Sequence, residues 1–337
     1  MSRKINRSSN EEEDMDSDIG NTNLVRFESG AVALRHSPSS SKLWDKQRYQ
    51  SLSLAEYSAR SAVADVCAAV VSSFFVAIPV CTIDRAIVQS VAGTKPLGEG
   101  LKSGFKQIFT QPIQNLAQRS FFMVFGVYAG TYFTANSFES QIQRQEALAA
   151  EEEGTASSSN LAWAKFLAVT AVNMSLAVSK DRAFAQMYGT ISPSTLPLIS
   201  WGCWITRDLL TIGAAFSIPK PLAEYLTQGS NPIVSNKHYA GLASQLFPVM
   251  LVQLASTPLH LAANDYYNFQ SNQPRVVNPA TGVVVSGKKT PQERLGLLVR
   301  EGPKSFVARL GRIAPAFGFG GIYNAKIRNF ARAELGL

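Results

Sequence analysis

Apolar residues gather into six stretches along the chain, with polar segments between them. The first runs from about Tyr57 to Gln89, with Asp65 inside it and Asp84 near its end. The second carries no charge from Ser120 to Phe138. The third runs from about Leu161 to Tyr188, with Lys165 near its start. The fourth, from about Leu196 to Leu226, is interrupted by Arg207 and Asp208, and the fifth, Tyr239 to Ala263, contains His260. The sixth runs from about Lys304 to Ala331 and has 13 uncharged residues from Ile313 to Ala325. Crossing a bilayer takes about 20 largely apolar residues, so the pattern predicts an all-α membrane protein with six transmembrane helices. Polar residues within such spans normally face the bundle interior or a water-filled cavity. Gly126, Gly130, Gly213, Gly318, Gly320 and Gly321 would let helices approach closely.

One signature recurs at the ends of the odd stretches: an Asp followed five residues later by a Gln. Asp84 and Gln89 form the first copy, Asp181 and Gln186 the second, Asp265 and Gln270 the third, spaced by 97 and 84 residues. In the first two copies an Arg follows the Asp, Arg85 and Arg182. A period near 90 predicts a threefold internal repeat, hence three hairpins of tilted helices with pseudo-threefold symmetry. The divisions are a polar tail (1–55), repeat 1 (56–139), a polar linker (140–160), repeat 2 (161–227), a linker (228–238) and repeat 3 (239–337). Pro79 and Pro258 lie shortly before their Asp residues and should bend their helices. Leu97–Phe109 and Pro291–Arg300 read as short amphipathic helices inside repeats 1 and 3. Gly189–Pro197 is too short for one in repeat 2.

Composition agrees with a membrane setting. Charged residues make up 17% of the chain, against about 25% for a soluble domain. The tail carries eight basic and eight acidic residues, so the net +8 belongs to the remainder. That excess suits either basic loops against anionic lipid or a basic cavity for an anionic solute. The first 50 residues, rich in Ser, Asn and charge, are expected to be disordered. They lack the apolar core of a secretory signal, and their acidic residues are unlike a mitochondrial presequence. Cys67, Cys81 and Cys203 suit neither a disulfide framework nor a zinc site. His36, His238 and His260 stand apart, so no metal and no cofactor are expected. No Ser-His-Asp set, phosphate-binding glycine loop or HExxH pattern is present, which argues against an enzyme. Partners are expected to be the lipid bilayer, anionic lipid included, and a small solute, with no nucleic acid; a monomer is expected.

Residues 56 to 332 resemble the mitochondrial carrier family, in a divergent form with degenerate motifs. Glu301-Gly302-Pro303-Lys304-Ser305-Phe306, then Arg309-Leu310-Gly311-Arg312-Ile313-Ala314-Pro315 and Tyr323, look like that family's Glu-Gly turn, even-numbered helix and closing aromatic. Glu99-Gly100 is a second possible Glu-Gly turn. The resemblance departs at the odd helices. Counting from Pro79 puts Cys81 where the family has an acid and Asp84 where it has a base; from Pro258 those positions hold His260 and Ala263. The usual ring of salt bridges is therefore absent, and a shifted set of Asp84-Arg85, Asp181-Arg182 and Asp265 could replace it.

The resemblance implies substrate contacts on the even helices, where Arg119, Arg207 and Arg312 stand at similar levels. Three guanidiniums around a cavity would hold a carboxylate or phosphate through bidentate bonds. Arg207-Asp208 resembles the Arg-acid pair of amino-acid carriers. The structural alternative is that each Arg pairs with a neighbouring Asp, Gln or carbonyl. For Asp84, Arg85, Gln89, Asp181, Arg182, Gln186, Asp265 and Gln270 a gating or structural role is expected. The functional reading is transport of a small anion or amino acid across the mitochondrial inner membrane by alternating access; the outer membrane or the peroxisome is the alternative location. The rival reading is a carrier-shaped protein that does not transport and serves as a scaffold, fusion or insertion factor.

Overall fold

The computed structural model describes residues 25–28, 31–34, 52–148, 155–189, 197–228, 233–270, 274–277 and 284–337. Two strands, β1 (Val25–Glu28) and β2 (Ala31–Leu34), pair antiparallel within the N-terminal tail, with Val25 opposite Leu34. Disorder is expected over residues 1–50, and this strand pair departs from that at 25–28 and 31–34; residues 1–24, 29–30 and 35–51 lie outside the described residues.

Helix α1 (Leu54–Ala92) is the longest element. Ser53 opens it with a capping box, its side chain accepting from the Glu56 N–H while Glu56 reaches back. This satisfies two N–H groups that a helix start leaves unpaired. Gly93 closes it in the left-handed conformation, φ 76°, which costs glycine little. Pro79 sits inside the helix without ending it. Next come α2 (Leu97–Thr110), α3 (Pro112–Leu116) and α4 (Arg119–Leu148). Helix α5 (Thr155–Tyr188) follows, then α6 (Leu198–Ser217) and α7 (Pro219–Thr227). Helix α8 (Lys237–Asn268) contains Pro248 and Pro258. A two-stranded ribbon of β3 (Val276–Val277) and β4 (Val284–Ser286) leads to α9 (Pro291–Ile313), a π-helical segment (Ala314–Phe319) and α10 (Gly320–Glu334).

Three boundaries differ from the sequence reading. The polar stretch after residue 140 extends α4 to Leu148 and opens α5 at Thr155. The fourth stretch divides at Ile218, because Pro219 begins a new helix at its N1 position. The expected short helix Pro291–Arg300 does not stop there but runs through Pro303 to Ile313. Its start is fixed by a second capping box, Thr290 with Glu293. The Thr290 N–H donated to Glu293 holds that carboxyl below its usual range. The expected break is braced by Ser90 Oγ, which donates to the buried Glu301 at 2.8 Å.

The helices pack in chain order: α1 on α4, α4 on α5, α5 on α6, α6 on α8, α8 on α9, with α10 returning to α1. Among the described residues, three are long and apolar enough to cross a membrane, over Leu54–Ala92, Asn160–Tyr188 and Tyr239–Asn268. These correspond to the first, third and fifth stretches. Their faces are inverted relative to a soluble bundle. On α1, Val63, Val66, Val70 and Phe75 are exposed while Ser61, Asp65, Ser72 and Asp84 are buried. On α8, Phe247, Leu251 and Leu254 are exposed while Gln253, Ser256, His260, Asn264 and Asp265 are buried. Apolar side chains outside and polar ones inside is the arrangement a lipid solvent selects. The chain is an all-α membrane protein in its helical body.

Close approach is built in where small residues face neighbours. A Cβ at Gly104 would lie 2.5 Å from Thr82 Cγ2, so only glycine lets α2 lie this near α1. A Cβ at Gly320 would meet Tyr132 Oη and, at 2.5 Å, Val76 Cγ2.

Candidate functional site

Helices α1, α4, α5, α6, α8 and α9 all contribute to a cavity of about 140 Å³. A buried water needs roughly 10–15 Å³ on this measure, so there is room for a small solute. Val80 and Asp84 come from α1, Tyr128 from α4, Asn173 and Lys180 from α5. Arg207, Asp208 and Thr211 come from α6, Gln253 from α8, Arg309 and Arg312 from α9.

The charged residues form one continuous chain of contacts. Lys180 Nζ lies 2.6 Å from Asp84 Oδ2 and 2.7 Å from Asp181 Oδ1. Arg312 Nη1 reaches Asp84 Oδ1 at 2.7 Å. Arg207 Nη1 is 2.6 Å from Asp181 Oδ2 and also donates to His260 Nδ1 at 2.7 Å. Arg207 Nε and Nη2 both donate to Asp208 Oδ1, at 2.9 and 2.6 Å. Four helices are thus joined through buried ion pairs. Desolvating so many charges is costly unless each finds partners, and most do.

Two groups are left over. Arg309 donates through Nε to Gln253 Oε1 at 3.0 Å and through Nη2 to Ser256 Oγ at 3.4 Å, both neutral. Its Nη1 has no hydrogen-bond partner among the described residues, and neither has Asp208 Oδ2. An unmet buried polar atom costs about 1–3 kcal/mol, more when charged. In formal charge the cluster has four cations, Lys180, Arg207, Arg309 and Arg312, and three anions, Asp84, Asp181 and Asp208. The excess cation is the one bonded only to neutral groups.

The structure brings together Arg207, Asp208 and Arg312 of the expected substrate residues, but each also has an ion-pair partner within the protein. Arg119 is exposed at the start of α4 and does not line the cavity. Asp84 and Asp181 meet through Lys180, and not through Arg85 or Arg182. Arg85 donates to Gln118 and Gln107, and Arg182 is exposed. Asp265 pairs separately with Lys289, at 2.7 Å, and with Arg294. Gln89 borders a second pocket, Gln186 is half-buried, and Gln270 donates to the Tyr267 carbonyl. Pro258 lies two residues before His260, within α8. Sequence reasoning missed Lys180 and Arg309. Each carried a signal: Lys180 directly precedes Asp181 in an apolar stretch, and Arg309 stands one turn before Arg312.

A second buried network lies toward the other end of α1. Arg328 Nε donates to Asp65 Oδ1 at 2.7 Å, and Ser140 Oγ donates to Asp65 Oδ2 at 2.8 Å. Arg328 and Arg332 both donate to Ser140 Oγ, and Asn136 and Asn324 exchange amide bonds at 3.0 and 2.8 Å. These contacts tie α1, α4 and α10 together.

The model of a family described as "probable citrulline exporter" matches residues 68–331, which include every member of the cavity cluster. No curated protein and no solved structure matches the chain. The match corrects the resemblance to mitochondrial carriers: the family is a different one. What misled was a short segment, Glu301 to Tyr323, and the period of the Asp-Gln signature, both of which a bundle of repeated hairpins can produce without that ancestry. The mitochondrial inner membrane was implied only by that resemblance and loses its support with it.

Proposed function

The chain belongs to the probable citrulline exporter family, and on that premise we propose that it carries a zwitterionic amino acid across a membrane through the central cavity. The observation that carries this reading is the pair of unmet charged atoms, Arg309 Nη1 and Asp208 Oδ2. A guanidinium seeks a carboxylate, and a carboxylate oxygen seeks an ammonium. An α-amino acid offers both at fixed spacing. Citrulline adds a neutral ureido group that both donates and accepts hydrogen bonds, and Asn173, Tyr128, Thr211 and Gln253 supply neutral polar lining for it. The excess of one cation in the cluster disfavours a second positive charge on the solute. This would separate citrulline from ornithine or arginine.

In this reading α1, α4, α5, α6, α8 and the continuous run from the end of α9 through α10 cross the membrane, and access alternates between the two ends. The Asp84–Lys180–Asp181–Arg207 contacts hold one end, and the Asp65–Arg328–Ser140 network holds the other. Opening either end requires exchanging these ion pairs for water. A non-transporting scaffold has no use for charges gathered around a solute-sized cavity, where they are expensive to bury.

Thermal unfolding of the purified protein tests the recognition. Citrulline should raise the melting temperature, because a ligand that binds only the folded state stabilises it. Analogues lacking the α-carboxylate or the α-amine, and ornithine, should have little effect. Equal shifts from all four, or none from citrulline, would remove the basis for the clamp.

A further inference from the structure

We propose that a second site, between α1, α2 and the end of α5, binds an anionic phosphate group, that of a phospholipid headgroup. The pocket there has a volume of about 390 Å³ and is separate from the central cavity. Its lining includes Arg85, Lys95 and Lys106, and no carboxylate stands among the described residues that line it. Arg85 is held in place without being neutralised. Its Nη1 and Nη2 donate to the amide oxygens of Gln118, at 2.9 Å, and Gln107, at 3.1 Å. Lys95 Nζ donates to the Ser103 hydroxyl at 2.8 Å, again a neutral partner. Lys106 is exposed on α2.

Three cations facing one pocket repel one another, so an anion entering it relieves that repulsion while satisfying their remaining donors. They arrive from three places, the body of α1, the turn after it and the middle of α2. That suits a tetrahedral group with oxygens in several directions better than a planar carboxylate. The surroundings favour a lipid as its source. Phe109 and Ile113, on α2 and α3, are 83% and 80% exposed, and Phe105 is also exposed. Apolar side chains beside a basic pocket are what an acyl chain and its headgroup meet at the membrane surface. Free inorganic phosphate shares the chemistry of the headgroup but has no use for the apolar rim.

Melting of the full-length protein in a neutral detergent tests this site. Phosphatidylglycerol should raise the melting temperature by about 2 °C or more, and phosphatidylcholine should do much less. In a Lys95→Gln/Lys106→Gln double variant the phosphatidylglycerol shift should fall by at least half. Both lysines lie outside the central cluster, so the variant should fold as the wild type does and still respond to citrulline. A shift from inorganic phosphate that matches phosphatidylglycerol would overturn the lipid assignment. Equal shifts from both lipids, no shift from either, or a double variant that responds like the wild type would overturn the site itself.

Discussion

Lys180 is the hinge of the central cluster, since its ammonium is shared by Asp84 and Asp181, at 2.6 and 2.7 Å. Replacing it with Ala leaves each buried carboxylate with a single cation, Arg312 for Asp84 and Arg207 for Asp181. Breaking a buried pair in this way costs on the order of 3–5 kcal/mol. Lys180→Ala should therefore melt well below the wild type, while Lys102→Ala, at an exposed site, should stay within about 0.5 kcal/mol. Equal melting of the two variants would show that the cluster contributes little to folding. The residue types of the site were partly legible in the sequence. Arg207, Asp208 and Arg312 stand out because charge within an apolar stretch needs a reason. Arg309 and Lys180 were hidden by proximity to more conspicuous neighbours. Arg119 looked equivalent to Arg207 and Arg312 by its place in a stretch, but helical phase and the start of α4 leave it exposed. Nothing in one-dimensional spacing records which way a side chain at a helix end will turn.

At the scale of elements, the crossing of α1, α4 and α10 depends on Gly320. A methyl group there would meet Val76 Cγ2 at 2.5 Å and press on the Tyr132 hydroxyl, which donates to the Ala316 carbonyl at 2.8 Å. Val76 is fully buried and Tyr132 nearly so, so neither has space to give. Gly320→Ala should cost about 1–3 kcal/mol, the usual range for overpacking. Gly126→Ala, with nothing within 4 Å of the added carbon, should be neutral or slightly stabilising, since alanine favours the helix. Unfolding of both variants in detergent would check the contrast, and a Gly320→Ala protein as stable as the wild type would contradict it. Helix existence was the most legible feature of the chain, because long apolar stretches with buried polar positions admit few other structures in lipid. Boundaries were less so. Glu301-Gly302 reads as a turn after Arg300, yet the helix capped by Thr290–Glu293 and braced by the Ser90–Glu301 bond runs on to Ile313. Pro219, in contrast, divides α6 from α7.

The whole molecule is a ring of helices around a charged cavity, with buried polar networks toward both ends. Its order of packing follows the chain, and the apolar stretches of the sequence lead to the right class, an all-α membrane protein, while the short motif resemblance led to the wrong family. Asp84 and Asp181 share a cation across the bundle, whereas Asp265 finds Lys289 and Arg294 from its own part of the chain. The repeat signature therefore marks similar places in three helices without giving them one common role. The proposed transport makes the strongest demand on this arrangement, since in that reading the contacts that hold either end of the ring open and close in turn. The direct measurement is efflux of labelled citrulline from proteoliposomes containing wild-type protein, Asp208→Asn or Arg309→Gln. Loss of one partner from a buried charged contact costs on the order of 2–5 kcal/mol, so each variant should lose at least about tenfold in rate while remaining folded. Wild-type vesicles that retain citrulline like protein-free ones, or variants that release it as fast as the wild type, would contradict the account.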